Sequence, residues 1–160
     1  MKTIIALDVG TTKSAYAIMK EDYTLVYTEI LENEILLEMI VEWARSYDCL
    51  VYEDFASYGM PIGKTTMESI KWNGRFIQAY LQARGEGLNN MDIIKPILRK
   101  EVKINLCGSM KAKDGNVRQA LIDRFGVVGT KNNQGYFYGV SKDMWSAVAL
   151  AVTYLDKKGE

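Results

Sequence analysis

The chain has 160 residues, 48% of them hydrophobic and 25% charged, and its 20 basic and 20 acidic residues cancel. That length suits one domain, 1–160, able to bury roughly 70% of its unfolded surface, and zero net charge argues against a generally basic nucleic-acid binder. There is no histidine, which removes Ser-His and Cys-His nucleophile systems, histidine bases and histidine zinc sites and leaves hydrolysis to carboxylates, lysines or metals.

In chain order, residues 3–9 read as a strand whose unbroken apolar run Ile4-Ile5-Ala6-Leu7 suits burial on both faces. Asp8 emerges at its tip. A charge there costs several kcal/mol unless it is paired or holds a metal. Residues 14–19 and 23–28 read as two more strands, joined by turns at 10–13 and 21–22, which together predict an antiparallel meander. Residues 32–46 carry Ile35, Met39, Ile40 and Trp43 at helical spacing. Cys49-Leu50-Val51-Tyr52 is a short apolar strand ending in Glu53-Asp54, and strand, helix, strand at this length implies a right-handed parallel crossover. A long helix is expected over 64–84, then an edge strand over 91–94 stopped by Pro96. Helices over 114–125 and 141–155 flank a glycine- and asparagine-containing loop at 126–139.

The long helix carries two apolar stripes. Met67, Ile70, Gly74, Ile77 and Leu81 share one face; Trp72, Phe76, Ala79, Tyr80 and Ala83 share the other. A surface helix needs only one, so the second meets another helix of the chain or a second subunit. Charge is also segregated. Residues 29–42 hold five glutamates and no basic residue, whereas 95–118 hold seven basic residues against Glu101 and Asp114. The second segment suits phosphates, although two ordinary solvated faces would look the same. Cys49 and Cys107 lie in apolar contexts and read as reduced buried thiols. Neither a leader nor a membrane span is evident, so a cytoplasmic location is expected.

Glu53 occupies the same kind of strand-tip position as Asp8, and ligand sites of open α/β sheets lie at such tips. Asp143 stands in the first turn of the last helix, with Ser141 as an N-cap, where the helix dipole favours an anion. Two unit charges ~4 Å apart repel by roughly 4 kcal/mol at an effective dielectric of ~20. Three carboxylates at one rim therefore call for hard cations such as magnesium, the requirement of two-metal phosphodiester hydrolysis. Singly, Asp143 also reads as a helix-start residue and Glu53 as a strand-end surface residue.

Three stretches carry a family resemblance: Ile4 to Ile18 (IIALDVGTTKSAYAI), Val51-Tyr52-Glu53 with its long helix ending Gln82-Ala83-Arg84-Gly85, and Asp143-Met144-Trp145-Ser146-Ala147. Together with the segment from Val102-Lys103 through Lys111-Ala112-Lys113 to Val117, they resemble the RuvC family of Holliday junction resolvases, nearest its phage-encoded branch. The resemblance implies an α/β, ribonuclease H-like fold: a five-stranded mixed sheet, a three-strand antiparallel meander plus two parallel strands, flanked by helices. It implies a homodimer cutting four-way or branched DNA with two magnesium or manganese ions per subunit, leaving 5′-phosphate and 3′-hydroxyl ends, in host cytoplasm if phage-encoded. Asp8, Glu53 and Asp143 would be the catalytic metal ligands. The family's second position on the last helix falls on Ser146, which offers a hydroxyl where a carboxylate is usual. Lys13, Phe55, Tyr58, Lys103, Lys111, Lys113 and Arg118 would contact DNA, the aromatics by stacking on an unpaired base. Trp72, Phe76 and Tyr80 would form the dimer face.

Other readings share parts of this pattern. Asp8-Val9-Gly10-Thr11-Thr12 also resembles the phosphate loop of sugar kinases and actin-like ATPases. The chain is too short for the two lobes those proteins need, so no nucleotide cofactor is expected. A ribonuclease H-like nuclease of RNA precursors, or a junction-binding protein with a weakened site, remain as alternatives.

Overall fold

A computed structural model describes residues 1–87 and 90–159. Strands β1 (Thr3–Asp8), β2 (Lys13–Lys20) and β3 (Leu25–Glu32) form the expected antiparallel meander. Helix α1 (Asn33–Trp43) crosses over to β4 (Cys49–Asp54), which lies parallel to β1. Helix α2 (Lys64–Ala83) leads to β5 (Ile94–Leu98), parallel to β4. Helices α3 (Arg99–Cys107) and α4 (Asp114–Phe125), a small hairpin β6–β7 (Gly129–Thr130 and Asn133–Gln134) and α5 (Met144–Lys158) complete the chain. The sheet order is β3-β2-β1-β4-β5, so the mixed five-stranded sheet is present as expected.

Alternation along the strands divides the core in two. Ile4 and Ala6 of β1, Ala15 and Ala17 of β2, and Cys49 and Val51 of β4 face α3, α4 and α5. Ile5 and Leu7, Tyr16 and Ile18, and Leu50 face α1 and α2. Both faces being covered explains the continuous apolar runs of β1 and β4. Helix α5 is buried without a break through its middle, from Ala147 to Thr153, and lies across β1 and β2.

Four expectations need correction. Phe76 and Tyr80, expected on a dimer face, are 0% and 1% exposed and pack on the sheet. The Tyr80 hydroxyl donates to the Tyr47 carbonyl at 2.8 Å, and Trp72 is half-buried beneath the Arg75 guanidinium. The bulky aromatics fill the gap between helix and sheet, and Met67, Ile70 and Gly74 of the other stripe are left outward. In α1 the core-facing residues are Leu36 and Ile40, with Ile35 exposed. The edge strand begins at Ile94 and runs through Pro96; an edge has a free side on which the missing N–H goes unused. Helix α3 was not anticipated, because only Val102 of its nine residues is fully buried and no clear apolar period marks it. Cys49 is buried and Cys107 half-buried, both as free thiols.

Candidate active site

Register and parity bring Asp8 and Glu53 together. The β1–β4 ladder runs from Ile4 beside Cys49 to Leu7 beside Tyr52; one further step sets Asp8 beside Glu53, at neighbouring-strand spacing of about 4.8 Å. Asp8 shares the parity of Ile4 and Ala6, and Glu53 that of Cys49 and Val51, so both point to the α5 face. Asp143 is the residue immediately before α5, in helical conformation. One cleft of about 450 Å³ is lined by Asp8, Glu53 and Asp143 together with Gly10, Asp54 and Arg99.

The loop after Asp8 is held from below. The Gly10 N–H donates to Ser14 Oγ at 3.1 Å, the Ser14 hydroxyl to Asn33 Oδ1 at 2.6 Å, and the Asn33 amide to the Gly10 carbonyl at 3.0 Å. Ser14 and Asn33 are buried. A Cβ on Gly10 would lie 2.3 Å from the Lys13 carbonyl oxygen, so only glycine allows this turn. On the neighbouring strand, the Asn73 side chain of α2 donates to the Glu53 carbonyl at 3.2 Å.

Burial pushes the Asp8 carboxyl up to about 8, and the adjacent Glu53, which shares a hydrogen bond with it, and Asp143 push the same way; Arg99 opposes them. Asp8 is thus a carboxylate whose charge the protein does not itself neutralise. Glu53 is better served: its Oε1 lies 3.8 Å from Arg99 Nη1, and Arg99 Nη2 bonds Asp114 Oδ1. Ser146 lies behind Glu53, in a cavity it lines with Arg99, Lys103 and Asp114.

An all-oxygen donor set with an uncompensated charge fits a hard divalent cation such as magnesium or manganese, for which Asp8, Glu53 and Asp143 would be the holders. Among the described residues, no three acidic or thiol side chains stand close enough as placed to enclose an ion. Asp8 and Glu53 are hydrogen-bonding neighbours, and Asp143 lines the same cleft.

The expected DNA-contacting residues divide by position. Phe55 and Tyr58 line the cleft; Tyr58 is exposed, with positive φ and the Lys100 ammonium 5.1 Å from its ring centre. Lys103 reaches the adjoining cavity, and Arg118, stacked 4.8 Å from the Trp145 ring centre, lines a further one with Asp143 and Ser146. Lys13, Lys111 and Lys113 are exposed and line none of these cavities. Sequence reasoning missed Arg99, Asp114 and Lys142 as site-lining residues. Lys142 precedes Asp143 with φ of 50° and lines the same cavity as Arg118. Arg99 directly follows β5, which the sequence pattern sets at 91–94 and the structure at Ile94–Leu98.

No family model and no curated protein matches the chain. Solved structures do. Thermus thermophilus RuvC matches at a TM-score of 0.70 and 15% identity, covering 98% of this chain and 96% of its own. The same protein in complex with Holliday junction substrate matches at 0.70 and 13% identity, over 99% of this chain and 96% of its own. The fowlpox virus Holliday junction resolvase matches at 0.51 and 19% identity, over 98% of this chain and 99% of its own. At such identities the likeness is one of fold, and over nearly its whole length this chain has the ribonuclease H-like fold of RuvC.

Proposed function

We propose that the chain is a metal-dependent endodeoxyribonuclease that resolves four-way or branched DNA by paired phosphodiester hydrolysis. The observation that carries this reading is the β1–β4 register, which seats Asp8 beside Glu53 on the face where Asp143 begins α5. The structural neighbours, RuvC in complex with Holliday junction substrate and a viral Holliday junction resolvase, support it. Magnesium or manganese bound there would polarise the scissile phosphate and acidify the attacking water. The chain's own part is to align that phosphate in the cleft, with Tyr58, Phe55 and Lys103 along the approaching strand.

Paired cleavage of a two-fold junction asks for a two-fold enzyme. The exposed apolar stripe of α2, Met67 at 47% and Ile70 at 39%, is the face we assign to a homodimer. Ile70→Glu is expected to give monomers in sedimentation that still bind junctions but no longer cut both strands together; a dimer that survives the change removes this face.

The central test offers synthetic four-way junctions, duplexes and RNA–DNA hybrids side by side with magnesium. Selective, symmetric nicking of the junction is expected. Preference for the hybrid would favour an RNA-processing nuclease, and tight junction binding without nicking would favour a weakened site, to which Ser146 lends some weight.

A further inference from the structure

The three parallel strands end in a row. Asp8 closes β1, Glu53 is the penultimate residue of β4, and the β4–β5 ladder continues from Glu53 beside Ile97 to Asp54 beside Leu98. Arg99 is the next residue. It opens α3, two residues beyond Ile97, the partner of Glu53, and its side chain reaches back to the Glu53 carboxylate. Arg99 contributes to both the cleft of Asp8 and the cavity of Ser146. Its fork spans Glu53, at 3.8 Å, and Asp114 in the first turn of α4.

We infer that the site works with a single divalent ion, and that the Arg99 guanidinium takes the place and the charge-stabilising role of a second. The inference rests on the nuclease reading above. Two features of the chain carry it. The position one turn beyond Asp143 is Ser146, a neutral oxygen, so a second ion would lack a carboxylate there. Glu53 already faces a permanent cation that would repel a second dication at short range. A guanidinium is always charged and presents paired N–H donors matched to phosphate oxygens. Asp114 is the positioning residue that turns this fork toward the cleft.

In the hydrolysis, the oxygen of a water molecule forms a bond to phosphorus while the bond from phosphorus to the 3′ oxygen breaks. The departing 3′ oxygen keeps the electron pair and takes a proton from solvent, and the attacking water gives up a proton to solvent. Arg99 donates to the phosphate oxygens as negative charge builds on them and on the leaving oxygen.

The test counts ions without reference to cleavage. Manganese titrated into the full chain bound to an uncleavable phosphorothioate junction, followed by calorimetry and by electron paramagnetic resonance, is expected to give one tight ion per subunit. Arg99→Ala is expected to keep that single ion, with unchanged melting, and to lose about a hundredfold or more in kcat with little change in KM; Arg99→Lys is expected to recover part of the rate. The double variant Arg99→Ala with Ser146→Asp exchanges the cation for a carboxylate, and is expected to bind a second manganese and to regain cleavage. Two ions per subunit in the wild type, or wild-type kcat in Arg99→Ala, would overturn the assignment. If the wild type nicks no junction at any metal concentration, the nuclease reading itself fails and this assignment with it; a wild type that nicks while binding two ions removes the assignment alone.

Discussion

Helix α5 has an aspartate near each end, and the two live in opposite environments. At its C-terminal end Asp156 accepts from both terminal nitrogens of Arg124 at 2.8 Å, from Asn105 at 2.7 Å and from the Tyr23 hydroxyl at 2.8 Å. Burial alone would raise this carboxyl, but the bonds from Arg124, Asn105 and Tyr23 outweigh it and hold it below the ordinary range. At the N-terminal end Asp143 faces Asp8 and Glu53, where burial and like charge raise Asp8 to about 8. A carboxylate supplied with donors is a clamp between elements, here tying β2–β3, α3 and α4 to α5. One packed beside other carboxylates is poised for a cation from outside. The same residue type is therefore fully paired at one end of the helix and set beside other acids at the other.

The sharpest way to separate the two environments is to neutralise one acid in each, Asp8 beside the N-terminal end of α5 and Asp156 at its C-terminal end. Asp8→Asn is expected to abolish magnesium-dependent junction cleavage, a loss on the order of a thousandfold or more from several kcal/mol of charge stabilisation, while junction binding and melting survive. Cleavage at the wild-type rate in gel assays would mean the site has been misplaced. Asp156→Ala should show the reverse, melting earlier through a loss of about 2 kcal/mol, with cleavage at low temperature retained. If instead cleavage vanishes with no change in melting, the distinction between clamp and site is wrong.

A gentler probe is pH. Because the Asp8 carboxyl is raised from 3.8 to about 8, the folded protein holds this proton where the unfolded chain has released it. Its contribution to stability is full below about pH 4 and is lost as pH rises through about 8. Metal-free protein in chelator is thus expected to melt progressively earlier across that window, Asp8→Asn to lack this component, and magnesium to restore most at the alkaline end. Identical pH profiles for wild type and Asp8→Asn would show that the Asp8 carboxyl is not raised as described. The smallest effect expected lies away from both ends of the helix. Lys111→Ala with Lys113→Ala should weaken junction binding and reduce the slope of log K against log salt by about 2; an unchanged slope removes this exposed segment from the DNA surface.

Much of this arrangement was legible in the residues, for reasons that are local. An apolar run broken by one acid announces a buried strand with an acidic tip, and it does so twice, at Asp8 and Glu53. Period two then settles which way each points once one neighbour is known. Helix α4 was found at its observed limits, because Val117 and Leu121 mark a core-facing stripe between glycine-bounded ends. Helix α3 escaped because a short helix resting on few apolar contacts has almost no periodic signal.

What the chain alone determined was the meander, the crossover and the acidic ends of β1 and β4, since these follow from the spacing of hydrophobic residues and turns. Two matters were decided only in three dimensions. Both stripes of α2 are apolar, and nothing short of packing against β4 and α1 could choose Phe76 and Tyr80 for the core and leave Met67 and Ile70 to solvent. Likewise Arg99 is one basic residue among several in its segment. Only the parallel register of β5 beside β4 sets it next to Glu53, because side-chain neighbourhood at a sheet edge depends on pairing between strands far apart in the chain.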